Sequence, residues 1–158
     1  MSEASVRAFF AEAAPDVTII DQGISTATVN DAAAALGVEP ARIAKTLSLR
    51  VDGKVVLVCA RGDARLSNGK AKAALGAKPR MLGAHEVEEL TGHPVGGVCP
   101  FGLAARLPVY CDISLRAFDT VFPAAGSRTA SVELTPERLA ALTGAQWVDI
   151  CTVADNAE

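Results

Sequence analysis

Asp52-Gly53 stands between two apolar runs, Ile43–Val51 and Lys54–Ala60. An Asp-Gly pair tolerates the positive φ angles of a two-residue turn, and that turn matches the twist of paired antiparallel strands. The stretch reads as a β-hairpin. Ile43–Val51 alternates with period two, so Ile43, Lys45, Leu47, Leu49 and Val51 share one face. Lys45 therefore falls on the apolar face, between Ile43 and Leu47. A buried ammonium is costly without a polar or anionic partner. Two readings stay open: Lys45 snorkels to water from the frayed start of the strand, or it is aimed into a pocket.

The rest of the chain alternates helix and strand signals. Ser2–Ala14 reads as a helix, with Val6, Phe9, Phe10 and Ala13 at helical spacing and Ser2 or Ser5 as cap. Val17–Ile20 is a short strand candidate. A helix starts near Val29, capped by Thr28 and stopped by Gly37, and Pro40 can open one further turn. Helices are expected from Asn68 to Leu75 and from Gly83 to Leu90. Strands are expected at Leu107–Ile113, Asp119–Ala124 and Thr129–Leu134, with Ala125-Gly126-Ser127-Arg128 as a turn. Thr135-Pro136 is a clean helix start, Gly144 ends that helix, and Gln146–Val153 reads as a last strand. Residues 154–158 are expected to form a disordered tail. At 158 residues the chain is expected to be one domain with its own core. Hairpin-joined strands interspersed with helices indicate a mixed α/β (α+β) domain, not a doubly wound parallel sheet.

Charge and cysteine usage exclude several classes. A formal net charge of −3 exerts no global pull on nucleic acid. Locally, Arg61, Arg65, Lys70, Lys72, Lys78 and Arg80 face the single acid Asp63 between positions 61 and 80. That segment is either a solvated face or a docking surface for a polyanion such as RNA. Its lack of aromatics favours phosphate contacts over base stacking. The cysteines, Cys59, Cys99, Cys111 and Cys151, form no CxxC pair, and the only histidines are His85 and His93. No metal site is expected from that spacing. Reduced thiols suit the cytoplasm. The N-terminus carries no signal-peptide pattern, and no segment is long enough to span a membrane.

Gly96-Gly97-Val98-Cys99-Pro100-Phe101-Gly102 places three glycines and a proline in seven residues. Such a stretch is either a structural turn or a stiff loop that exposes backbone N–H groups to an acceptor oxygen. No GxSxG, HExxH, GxxxxGK or GxGxxG motif is present. Cys99, with His93 six residues earlier, is a candidate nucleophile for acyl transfer, or it is loop packing. What remains is a lysine at a strand start, a loop of backbone donors and a basic surface. These suit an enzyme that positions a polarised acyl ester and lets water attack it.

Taken together, these residues resemble the YbaK/ProX family of free-standing aminoacyl-tRNA deacylases. That family is related to the editing domain inserted in many bacterial prolyl-tRNA synthetases. The resemblance runs from about Val6 to Cys151. It is carried by Thr28-Val29 with Ala32 to Val38, Ile43 to Leu47, Gly62-Asp63, Leu75 to Lys78, Glu89 to Gly92, Gly96 to Gly102, Ala125 to Arg128 and Leu139 to Ile150. It implies a single domain with a curved, mixed sheet around a central helix and peripheral helices, and hydrolysis of mischarged tRNA. The family lysine falls on Lys45, which would orient substrate near the tRNA 3′ end. The family loop falls on Gly96, Gly97, Val98, Cys99 and Pro100, whose amides would hold the aminoacyl carbonyl. Thr28, Phe101, Gly102, Gly126 and Ser127 would bind substrate, and the cations of the 61–80 segment would dock the tRNA. The resemblance implies no metal, no cofactor and no covalent intermediate. A small amino acid on tRNA-Pro, alanine or a similar aliphatic, is the expected substrate, with prolyl-tRNA synthetase as a transient partner. A non-catalytic aminoacyl-tRNA-binding module and a Cys99-dependent acyl hydrolase are the alternatives. Two departures stand out. Cys99 replaces a common serine, which bears on pocket size, and Leu66-Ser67-Asn68-Gly69-Lys70 replaces a stretch where relatives carry an acid and lysines, which bears on tRNA docking.

Overall fold

The computed structural model describes residues 2–153. In chain order, helix α1 spans Ser2–Ala13, strand β1 Ile20–Asp21 and helix α2 Val29–Leu36. The hairpin follows as β2 (Ile43–Val51) and β3 (Lys54–Arg61), and then come β4 (Ala64–Leu66), α3 (Asn68–Leu75), β5 (Arg80–Met81) and α4 (Ala84–Thr91). The C-terminal part holds β6 (Val109–Asp112), β7 (Phe122–Pro123), β8 (Ala130–Ser131), α5 (Pro136–Thr143), β9 (Gln146–Val148) and β10 (Cys151–Val153). The expected disordered tail lies outside the described residues.

The hairpin is the spine of the molecule. Asp52 and Gly53 take φ of 50° and 80°, as a two-residue turn requires. β2 and β3 pair antiparallel from Ala44↔Arg61 to Val51↔Lys54. β6 joins β3 in parallel, and β9 joins β6 in parallel. The other edge of β2 is shared by two short strands: β7, parallel at Ile43 and Ala44, and β5, antiparallel at Leu49 and Arg50.

Both faces of this sheet are buried. Leu47, Leu49 and Val51 of β2 pack with Val56, Val58, Ala60, Ala71 and Ile150. On the opposite face Ala44, Leu57, Cys59 and Cys111 meet Val6 and Phe10 of α1 and Leu139 and Ala140 of α5. Phe9, Phe10 and Phe101 stack within that second layer, with ring centroids 4.7 to 5.6 Å apart. A third cluster joins α2 to the start of β2 through Ala32, Ala33, Ile43 and Phe122. The helix ends follow their local sequence. Thr28, Ser67 and Thr135 each accept a backbone N–H in the first turn, and Gly37, Gly76, Gly92 and Gly144 close helices in the left-handed conformation.

Several strands differ from the sequence expectation. The three expected strands between 107 and 134 shrink to β6, β7 and β8, with isolated bridges at Val121↔Leu134 and Ala124↔Ser131. Pro123 has no N–H to extend the ladder. Ile113 opens a 3₁₀ turn because the Asp112 carboxylate accepts Ser114 N–H at 3.0 Å. The same buried carboxylate accepts the amides of Ile150 at 2.8 Å and Cys151 at 3.1 Å. That pull lifts the chain off β6, so the expected strand Gln146–Val153 is two strands, and β10 turns to pair with β4. β4 and β5 carry too little pattern at three and two residues to be read in advance.

Candidate functional site

β7 leaves the outer edge of β2 after Ala44, and β5 meets it only at Leu49. Between them the edge is open, and a cleft of about 320 Å³ occupies the gap. Because the cleft follows an edge, residues of both sheet faces reach it: Ile43 and Lys45 from one, Ala44, Thr46 and Ser48 from the other. Thr26, Thr28 and Val29 form one wall, Met81, Leu82 and Val87 another, and Phe122, Ala124 and Ser131 the third. Val95, Gly96 and Val98 bring in the glycine loop. The lining is mostly apolar and contains no carboxylate, imidazole or thiol among the described residues. At the mouth, Met81 and Val95 are 61% and 47% exposed, an apolar rim open to a ligand.

Lys45 is half-buried at the cleft edge. Its ammonium donates to the Ala64 carbonyl. Burial pushes its pKa below the usual lysine value, while the nearby Cys151 and Asp63 oppose that shift and Arg65 adds to it. The lysine therefore links the cleft to the start of the basic segment. It sits third in a fully paired hairpin strand, not at a frayed start.

The glycine loop is held by its neighbours. Gly97 has no room for a side chain: a Cβ there would lie 2.7 to 2.9 Å from the Ser127 backbone. The Gly97 amide donates to Pro94 O at 2.9 Å, so it is not a free donor. Arg128 Nε donates to Val95 O at 2.8 Å, and Thr26 N–H donates to Arg128 O at 2.7 Å. Three loops thus form one wall. Thr26 Oγ1 is buried there with no hydrogen-bond partner among the described residues.

The structure separates the sequence candidates. Lys45, Gly96, Val98 and Thr28 line the cleft, and Thr28 also caps α2 through Asp31 N–H. Gly97, Cys99 and Pro100 do not line it, nor do Phe101, Gly102, Gly126 and Ser127. These seven stand outside the cleft lining. Phe101 is spent on the aromatic cluster, Gly102 and Gly126 abut the Ser5 and Ser2 backbone of α1, and Ser127 backs Gly97. They shape the loop from behind. Cys99 and His93 are brought together, Sγ to Nε2 at 3.5 Å, but both are fully buried. Burial pushes the Cys99 thiol up to about 12 and lowers the His93 pKa. His93 instead bridges Phe101 O at 2.7 Å and Ser2 Oγ at 2.6 Å. A sealed, protonated thiol is no nucleophile. Cleft residues such as Thr26, Ser48, Met81, Leu82, Val95, Phe122 and Ser131 carried no signal in the sequence, since each is an ordinary strand or loop residue.

The basic segment is partly neutralised. Arg61 pairs with Asp63 at 2.6 Å and lies over the Phe118 ring at 5.3 Å, and Lys70 pairs with Asp149 at 3.0 Å. Arg65, Lys72, Lys78 and Arg80 are exposed, and Arg80 adjoins Met81 of the cleft rim. Among the described residues no helix is long and apolar enough to cross a membrane.

The model of the aminoacyl-tRNA editing domain matches residues 25–142. The chain belongs to that family. The chain is 47% identical over 153 residues to the uncharacterized protein YwhH of Bacillus subtilis, covering 96% of this chain and 98% of that one. It is 34% identical over 123 residues to the "Putative Cys-tRNA(Pro)/Cys-tRNA(Cys) deacylase EbsC" of Enterococcus faecalis, covering 76% and 74%. Among solved structures, a "putative trans-editing enzyme for prolyl tRNA synthetase" superposes with a TM-score of 0.87 at 34% identity, covering 96% of this chain and 97% of that one. The mixed α/β single-domain architecture is that of the YbaK-like editing fold.

Proposed function

We propose that the protein is a trans-editing hydrolase that removes a small wrong amino acid from tRNA-Pro. The observation that carries this reading is the apolar cleft at the open edge of β2, with Lys45 at its side and no carboxylate, imidazole or thiol in its lining among the described residues. An aminoacyl ester is already activated, so holding its carbonyl against fixed donors and admitting water suffices for turnover. Lys45 would orient the tRNA 3′ end by charge, and the exposed Arg65, Lys72, Lys78 and Arg80 would take backbone phosphates. The mostly apolar lining suits an aliphatic aminoacyl side chain, and alanine or one of similar size is the expected cargo. Similarity to a solved protein described as a trans-editing enzyme for prolyl tRNA synthetase supports tRNA-Pro as the carrier.

Hydrolysis of tRNA-Pro charged with alanine, serine, cysteine, 2-aminobutyrate or proline tests this. Selective turnover of a small noncognate species, with prolyl-tRNA spared, is expected. Binding of every species with turnover of none would replace the hydrolase by a binding module. Cys99 separates the remaining alternative. Cys99→Ser should retain turnover within about threefold, and iodoacetamide should leave the native protein active, because the thiol is sealed and protonated. Inactivation by alkylation with a trapped acyl-enzyme would restore the cysteine mechanism.

A further inference from the structure

One residue of β2 has its backbone turned onto the cleft. Ser48 O accepts Leu82 N–H at 3.0 Å on the outer edge. Leu57, opposite Ser48 in the hairpin, sends its own N–H away from β2 to Pro108 O at 3.0 Å. Ser48↔Leu57 is therefore a non-hydrogen-bonded pair of the antiparallel ladder. Pairs alternate along such a ladder, so Thr46↔Cys59 is also non-hydrogen-bonded. The N–H and C=O of Thr46 then point away from β3, toward the outer edge. There β7 has ended at Ala44↔Pro123 and β5 begins only at Leu49↔Met81. Thr46 lines the cleft. An adjacent donor and acceptor on an open strand edge form a docking position for one more strand residue.

An aminoacyl ester carries the matching pair, an α-amine that donates and a carbonyl that accepts, on either side of one Cα. We propose that the aminoacyl group binds as a single-residue extension of the sheet on Thr46, its carbonyl oxygen accepting from the Thr46 N–H and its α-amine donating to the Thr46 carbonyl. This rests on the editing reading above and assigns a donor to that reaction. Water adds to the carbonyl carbon, the bond from that carbon to the ribose oxygen breaks, and the proton lost by water ends on the ribose oxygen. The Thr46 N–H, immobilised by the hairpin, stabilises the oxyanion in between. The Gly97 amide is taken by Pro94 and is not that donor. Side chains alternate strictly across a sheet, so an acyl group held this way is also read for handedness.

Two measurements test the placement. The first titrates ¹⁵N-labelled protein with 3′-deoxy-3′-(L-alanylamino)adenosine, in which an amide stands for the ester. The Thr46 amide resonance should move downfield and its solvent exchange should slow, with the D-alanyl analogue producing neither change. Shifts at Met81 and Val95 with Thr46 unmoved would overturn the proposal. The second uses Thr46→Pro, which removes an N–H that the β2–β3 ladder does not use. The variant is expected to fold and to lose about a hundredfold or more in kcat, with KM for the tRNA little changed. A folded Thr46→Pro protein with wild-type kcat would overturn the proposal. If proline at 46 prevents folding, the amide titration decides. Wild-type inactivity on every charged tRNA would count against the editing reading, while the analogue titration would still report on Thr46.

Discussion

Lys45→Met should reduce deacylation by about 10²- to 10³-fold, the scale of losing one fixed electrostatic contact to the reacting group, and should leave the fold intact. Methionine keeps the length of the side chain and its packing at the cleft edge while removing the ammonium. The wild-type ammonium is half-buried and donates to the Ala64 carbonyl, and burial lowers its pKa. A lowered lysine pKa means that the charged form is less favourable in the folded chain than in the unfolded one. That penalty is fully present below the folded pKa, fades as pH rises through it, and is gone above the unfolded value. Methionine escapes the penalty and forfeits one hydrogen bond, worth about 1 kcal/mol, so the two effects offset and Tm should stay within about 3 °C at pH 7. Above pH 10 the wild type should gain on the variant. Initial deacylation rates and thermal melts at both pH values check the two halves separately. Full activity in the variant would remove Lys45 from the mechanism, and a large fall in Tm would assign it a structural role.

Gly62→Ala should cost about 3 kcal/mol or more, at the upper end for forced overpacking, and lower Tm by roughly 6–12 °C. Gly62 lies in the turn between β3 and β4, where α2, the Pro40 turn and the start of β2 converge. A Cβ there would stand 2.1 Å from Pro40 O, 3.0 Å from Val29 Cγ1 and 3.1 Å from Ile43 O. Two of those atoms are backbone, so no rotamer change relieves the clash. Val29 and Ile43 line the cleft, and Lys45 follows Ile43 by two residues. Any relief must therefore displace the strand that carries the site, and deacylation should fall together with stability. Chemical denaturation and activity of the same preparation check this. Wild-type stability in Gly62→Ala would mean that the turn relaxes without disturbing β2.

Local chemistry made much of the fold legible. The Asp52-Gly53 turn, the Thr28, Ser67 and Thr135 caps and the closing glycines all act within a few residues, so their spacing alone specifies them. The limits of the short strands were not legible, and β4 and β5 were not legible at all. β4 and β5 exist because β10 and β2 offer them an edge, and β9 and β10 separate because the distant Asp112 carboxylate takes the amides of Ile150 and Cys151. The site divided in the same way. Lys45 stood out because an ammonium on an apolar face is costly, and Gly96 because it lies in a loop dense in glycine and proline. Phe101 and Gly102 lie in that loop, and Gly126 and Ser127 in a separate turn, yet they face α1 or the back of Gly97, because side-chain direction depends on what packs behind a loop. Cys99 and His93 do meet, and their burial removes the reactivity that their pairing alone would suggest.

The residues alone specify the hairpin, most helix ends, the lysine on the strand and, through their combined order, the family. The gap between β5 and β7, the cleft that fills it and the outward-facing backbone of Thr46 arise only when strands distant in sequence share one edge of β2. Edge pairing is a long-range contact between backbone groups that every residue possesses, so no side-chain pattern records where it stops.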